Sequence, residues 1–129
     1  MTDAVVAAAR AALANAHAPY SRFRVGAALE AEDGRVFVGA NVENASYGLT
    51  NCAERVALGA AVVAGARRFR RIVVVTESNP PAAPCGACRQ ALAEFGLDIV
   101  VEAVGGTQVR RWRLADLLPD AFGPADLGS

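Results

Sequence analysis

The stretch Pro84-Cys85-Gly86-Ala87-Cys88-Arg89-Gln90 sets two thiols three positions apart, just ahead of an apolar run (Ala91, Leu92, Phe95) that reads as a helix. Thiols at a helix start ionise easily, because unpaired N–H groups and the positive end of the dipole favour thiolate. Thiolate is the form that binds metal or does redox chemistry. A third thiol, Cys52, opens another helix-forming run, and Glu54 follows two residues on. Three thiols without a fourth suggest a zinc site with an open position. Structural zinc is normally closed by four protein ligands, whereas catalytic zinc keeps three and a water. The expected ligands are Cys52, Cys85 and Cys88.

Glu54 diverges from Cys52 on the first helical turn, so it is expected to reach a water on the metal as a general base, not the metal itself. Three thiolates outweigh the charge of Zn²⁺ and weaken its hold on that water. Arg55 and Arg89, one turn into each helix, are expected to donate hydrogen bonds to the sulfurs and offset this. The lone histidine, His17, falls at the end of the first helix, where the dipole favours it. A Cys-x-x-Cys redox protein and a structural zinc module that binds partners stand as alternatives on these residues; the first leaves Cys52 and Glu54 unexplained.

The totals narrow the classes. With 129 residues, 53% apolar and 20% charged, the chain reads as one globular domain over residues 1–129. The formal charge is zero, which argues against an affinity built on neutralising phosphates and so against a nucleic-acid partner. All 13 basic residues are arginine, to which we attach no functional weight. An odd number of cysteines argues against a secreted disulfide framework. The stretch 1–16 is interrupted by Asp3, Arg10 and Asn15 and does not read as a signal peptide. No apolar run approaches the roughly 18 residues of a membrane span. The expectation is a cytoplasmic protein with reduced thiols and no membrane contact.

The elements that must position the thiols follow from pattern. Thr2 is the expected N-cap, with Asp3 in the first turn, of an alanine-rich helix over 4–16 with Val5, Val6, Ala9 and Leu13 on one side. Val25 to Leu29 and Val36 to Ala40 read as antiparallel strands joined at Asp33-Gly34. Ala53 to Ala64 reads as a helix closed by Gly65. Arg67 to Arg71 reads as a solvated basic corner, and Ile72 to Val75 as a strand buried on both faces. A helix through Phe95 and a strand over Leu97 to Val104 complete a βαβ unit, whose strands should be parallel. Gly105-Gly106 reads as a hairpin turn into an antiparallel last strand, Thr107 to Leu114, followed by a short helical piece at 115–118. The sum is an α/β sandwich with a mixed sheet of about five strands. If the two cysteine-bearing helices follow strand ends on the same edge of the sheet, Cys52 meets Cys85 and Cys88.

Cys52-Ala53-Glu54 and Pro84-Cys85-Gly86-Ala87-Cys88 match the pattern of the zinc nucleobase deaminases, in which a glutamate that is not a ligand carries protons. Beyond that core the chain resembles the small cytidine deaminases along nearly its whole length. The resemblance rests also on the stretches Tyr20 to Leu29, Gly39 to Tyr47 (with Asn41-Val42-Glu43-Asn44) and Leu117 to Pro124 (with Phe122-Gly123-Pro124). It implies a three-layer α/β/α fold and hydrolysis of cytidine and 2′-deoxycytidine to uridine and 2′-deoxyuridine with release of ammonia, in pyrimidine salvage. It implies one Zn²⁺ per subunit and a homotetramer. Asn41 and Glu43 resemble the pair that binds the ribose hydroxyls, and Phe23 the aromatic that packs on the nucleoside. The Ala53 N–H resembles the donor to the pyrimidine 2-oxo group, and the Ala83 carbonyl the acceptor for the departing amino group. Tyr47 and Phe122 resemble residues that complete a neighbouring subunit's pocket. Asn51 departs from the apolar residue expected before Cys52. A deaminase of a cytosine-containing nucleoside antibiotic, or of cytosine or adenine in nucleic acid, shares the metal motif; the Phe-Gly-Pro ending argues against the first.

Overall fold

The computed structural model describes residues 3–128. Helix α1 (Ala4–Leu13) precedes strands β1 (Val25–Ala31) and β2 (Val36–Ala40). Helix α2 (Ala53–Val63), strand β3 (Phe69–Thr76), helix α3 (Gly86–Ala93) and strands β4 (Val100–Gly105) and β5 (Gln108–Arg113) follow. A short α4 (Leu114–Leu117) closes the regular part, and 3₁₀ turns lie at Tyr47–Leu49 and Pro124–Leu127. The sheet order is β2-β1-β3-β4-β5. Only β3 and β4 pair in parallel, as the βαβ unit requires; the other neighbours are antiparallel.

The sheet is covered on both faces. Alternate side chains of its strands point opposite ways. Ala28, Val73, Val75 and Val104 therefore pack with Val5 and Ala9 of α1. Ala27, Leu29, Ile72, Val74 and Val101 pack with Ala57, Leu58 and Ala61 of α2 and Leu92 of α3. This is the expected three-layer arrangement. Two glycines let the helices lie close. A Cβ on Gly26 would stand 2.1 Å from the carbonyl oxygen of Ala9, and one on Gly39 would stand 2.4 Å from that of Ala53. Gly39 thus seats the first turn of α2 against β2. No helix among the described residues is long and apolar enough to cross a membrane.

Four local expectations are corrected. Thr2, the expected cap of α1, lies outside the described residues; Asp3 is the cap, accepting from the N–H groups of Val5 (3.0 Å) and Val6 (3.3 Å). The α-helix stops at Leu13 because Ala14, Asn15 and Ala16 bond three residues back instead of four. The β4–β5 turn is Gly106-Thr107, since Gly105 still pairs with Gln108. Gly105 is glycine for a different reason: a Cβ there would meet the Ser78 carbonyl at 2.1 Å. Finally, Arg67 to Arg71 is a solvated corner only in part: Arg67, Arg68 and Arg70 are exposed, and Arg71 is not. Arg67 donates to the carbonyls of Val62 and Ala66, and Arg70 to that of Glu32. Arg71 lies inside β3 and pairs with Glu102 at 2.9 Å and Asp3 at 2.7 Å.

Candidate active site

Strand direction brings the thiols together. β2 and β3 are each antiparallel to β1, so they run the same way and their C-terminal ends share one edge of the molecule. Each is followed by a crossing segment and then a helix, α2 after β2 and α3 after β3. Both helices therefore begin at that edge. Cys52 is the N-cap of α2 and Cys85 the N-cap of α3, with Cys88 one turn further. The segment before Cys52 is fixed by a two-way backbone bridge between Asn51 and Val42, at 2.9 Å in each direction. Asn51 itself is exposed, so the polar residue standing where an apolar one was expected meets solvent.

The three Sγ atoms lie within 4.8 Å of one another, with Cys85 and Cys88 at 3.4 Å. Three sulfurs held about 2.3 Å from one tetrahedral ion would be roughly 3.8 Å apart, so this donor set fits zinc. Its electrostatics suit a cation. The Cys52 thiol is pushed down to about 5, first by a hydrogen bond with Cys88 and then by Arg55, whose Nη2 donates to Cys52 Sγ at 3.3 Å. The Cys88 thiol is pushed up, because it is the donor to Cys52, is buried and faces Glu54. The Cys52 thiolate thus forms readily, whereas a thiolate on Cys88 beside it calls for an ion to neutralise the charge.

Glu54, 5% exposed, sits in the first turn of α2 beside the sulfurs. Burial first, then the charge of Cys52, pushes its carboxyl above the ordinary glutamate range. Such a group is poised to hold a proton and return it. No side chain caps α2; the N–H groups of Arg55 and Val56 turn back to the Cys52 carbonyl, whereas that of Ala53 makes no backbone bond among the described residues and can meet a ligand.

A cleft of about 240 Å³ opens over this centre. Its lining brings together Cys52, Cys85 and Glu54 with the expected Phe23, Asn41, Glu43, Ala53 and Ala83. Cys88 is fully buried behind them. The two residues expected to serve a neighbouring subunit do not line it. Tyr47 is 74% exposed and meets Tyr20 edge-on at 5.9 Å, while Phe122 is 58% exposed beside Ala93 and Leu97. Arg55 bonds to a sulfur as expected, but Arg89 does not. Its Nε and Nη1 donate to the carbonyls of Pro84 (2.8 Å) and Leu117 (2.9 Å), so it ties the Cys-x-x-Cys loop to α4. His17 is not in the last turn of α1, which ends at Leu13, so the dipole is not what places it; its backbone bonds to Asn41 and Glu43, holding that segment in place. Ser21, Val25, Thr50, Val74, Thr76 and Ala82 complete the lining and were not expected there. For Thr76 the signal was present, since strand alternation sets it on the side of Ile72 and Val74.

A sequence model described as the cytidine and deoxycytidylate deaminase zinc-binding region matches residues 1–104. The chain belongs to this family. It is 43% identical to a cytidine deaminase of Sporosarcina psychrophila over 97% of this chain and 93% of that protein. It is 49% identical to one of Mycobacterium tuberculosis, covering 90% and 85% of the two. Among solved structures, a cytidine deaminase from Burkholderia pseudomallei superposes with a TM-score of 0.90 at 54% identity, over 95% of this chain and all of that one. The protein is therefore an enzyme of the cytidine deaminase family, a hydrolase, with the Cys52, Cys85 and Cys88 group positioned to bind the family's zinc ion.

Proposed function

We propose that this protein hydrolyses cytidine and 2′-deoxycytidine to uridine and 2′-deoxyuridine with release of ammonia, as a step of pyrimidine salvage. One observation carries the reading. A buried carboxyl, Glu54, lies beside three converging thiols at the floor of a cleft whose wall bears Asn41 and Glu43. Zinc, one per subunit, supplies a Lewis acid that lowers the pKa of a water in its open position. Glu54 takes a proton from the attacking water and delivers it to N3 of the pyrimidine. As the hydroxide oxygen bonds to C4, that carbon becomes tetrahedral; the Glu54 carboxylate then takes the second proton from the new hydroxyl and gives it to the amine, which leaves as ammonia as the C4–N bond breaks and the C4 carbonyl forms. A group that must give and take the same proton works best with a pKa shifted towards neutrality. Arg55, bonded to Cys52, draws negative charge from the sulfurs.

The other lining residues hold the nucleoside. The Ala53 N–H donates to the 2-oxo group, and the Ala83 carbonyl accepts from the leaving amino group. Phe23 packs against the nucleoside, while Asn41 and Glu43 bind the ribose hydroxyls. The assembly we propose is a homotetramer in which Tyr47 and Phe122 complete neighbouring pockets. Their exposure, with that of Leu49 and Leu127, supports it: large apolar side chains left in water on several sides of the chain favour burial by further copies. Three reduced thiols suit the cytoplasm.

The test is ammonia release by zinc-loaded protein from cytidine, deoxycytidine, free cytosine and cytidine monophosphate. Turnover of both nucleosides, far above that of the free base, is the expected result. No ammonia from either nucleoside overturns the reading.

A further inference from the structure

Glu43 is held by more than its own strand. Its Oε1 accepts from the N–H groups of Tyr20 (2.9 Å) and Ser21 (3.1 Å), and its Oε2 accepts from the Ser21 hydroxyl. A carboxylate offers about four acceptor sites. Three are taken, all by one turn of chain, and the fourth is on Oε2. The Ser21 hydroxyl also accepts from the N–H of Phe23 at 3.0 Å. One hydroxyl therefore joins the carboxylate on one wall of the cleft to the residue bearing the aromatic ring on the other. Between them Arg22 adopts a left-handed backbone (φ 60°), with its N–H on the carbonyl of Ala18 at 3.0 Å. A non-glycine residue in that region costs roughly 1–2 kcal/mol, and such conformations persist where the surroundings enforce them. Asn41 is likewise committed. Its Oδ1 accepts from Val25 at 2.9 Å and its Nδ2 donates to the carbonyl of Phe23 at 2.8 Å.

We propose that Ser21 is a positioning residue for sugar recognition, its hydroxyl fixing Oε2 of Glu43 so that one lone pair is presented to one ribose hydroxyl. This rests on the reading of Glu43 as a ribose-binding group. The carboxyl of Glu43 is held below the ordinary range, first by this same hydroxyl, which keeps it an acceptor only. Without Ser21 the carboxylate keeps its Oε1 contacts, but Oε2 turns towards water and Phe23 loses the acceptor for its N–H.

The experiment compares wild type, Ser21→Ala, Ser21→Thr and Glu43→Gln on cytidine and on 2′,3′-dideoxycytidine, which lacks the hydroxyls Glu43 could take. A hydrogen bond to a charged group is worth about tenfold in binding at a partly wet site. Ser21→Ala should raise KM for cytidine by about that factor, with kcat much less affected. The same variant should raise KM for the dideoxy compound by a much smaller factor, that of the lost Phe23 N–H acceptor alone, and Ser21→Thr should restore cytidine binding. In the Glu43→Gln background, adding Ser21→Ala should cost no more than that smaller factor. Equal losses on both nucleosides would make Ser21 merely structural, and no loss on either would make it idle; both overturn the proposal. Calorimetric binding of cytidine separates it from the enzymatic reading. A wild-type chain that binds cytidine without turnover refutes the deaminase assignment, while the Ser21 comparison is still read in affinity. A chain that does not bind cytidine at all refutes both.

Discussion

Two glutamates, Glu54 and Glu102, are each 5% exposed, yet the protein treats them in opposite ways. Glu102 lies on β4, on the α1 side of the sheet. Arg71 reaches it at 2.9 Å and Arg111 at 3.3 Å, and Arg71 also meets Asp3 and Glu30. Glu54 lies on the α2 side, and the arginine next to it in sequence bonds to Cys52. Burial first, and then the charge of Cys52, pushes the Glu54 carboxyl up. Equal burial therefore says little about role. Paired charge across a sheet fixes strands, whereas an unpaired carboxyl beside metal ligands is free to exchange a proton.

The most direct way to break this contrast is Glu54→Gln. Glutamine keeps the shape and cannot carry the proton. Turnover should fall about 10²- to 10⁴-fold, the usual worth of a general acid–base group. Zinc content, measured by metal analysis, should stay at the wild-type value. Thermal stability should not fall, because no ion pair is lost and a buried charge is removed. Retained turnover would show that Glu54 is as inert chemically as Glu102.

The opposite result is expected at the other site. Arg71→Leu leaves Glu102 buried with only the exposed Arg111 for company. Breaking one side of a buried pair is costly, here roughly 3 kcal/mol in urea unfolding. Zinc content and KM should stay at wild-type values. The double variant Arg71→Leu/Glu102→Leu should recover much of the loss, since a packed apolar pair avoids the desolvation of both charges. If the single variant loses activity per folded molecule, the two regions are coupled and the division between them fails.

Much of this contrast could be read from the sequence, but unevenly. The thiol spacing with Glu54 marks the metal centre, because the residue types themselves are rare and specific. The run Ile72 to Val75 marks a buried strand, and the βαβ spacing gives its parallel neighbour. The Arg71 and Glu102 network stayed hidden because an arginine in a basic run looks solvated. Only the register shows otherwise: Arg71 shares the α1 side with Val73, and Glu102 lies opposite Val73 on β4. A slip in pairing between Glu30 and Ala31 adds to the difficulty, since it breaks the period-two pattern at the start of β3. Arg89 misled for a related reason. Its distance along the helix from Cys85 suggested a sulfur, but two backbone carbonyls within reach take its guanidinium. Composition and spacing identify what a side chain can do; its nearest partner decides what it does.

The weakest link in the structural network gives the finest test. Asp3 caps α1 and meets Arg71 at 2.7 Å, but its side chain is 40% exposed. Its carboxyl is held below the ordinary value of 3.8, first by the Arg71 hydrogen bond and further by the N–H groups of Val6 and Val5. A carboxyl with a depressed folded-state pKa binds its proton more readily when unfolded. Its contribution is therefore complete above the ordinary value and is lost as the pH falls through the lower, folded one. Asp3→Asn separates the two roles, because asparagine caps a helix about as well as aspartate but cannot pair with Arg71. At neutral pH the variant should be less stable by no more than about 1 kcal/mol, with the gap shrinking as salt is added. Below the folded-state pKa, where Asp3 is neutral in both states, the urea midpoints of the two proteins should converge. A gap that persists there would assign the contribution of Asp3 to capping geometry, and would leave Glu102 and Glu30 as the only carboxylates of the network whose charge matters.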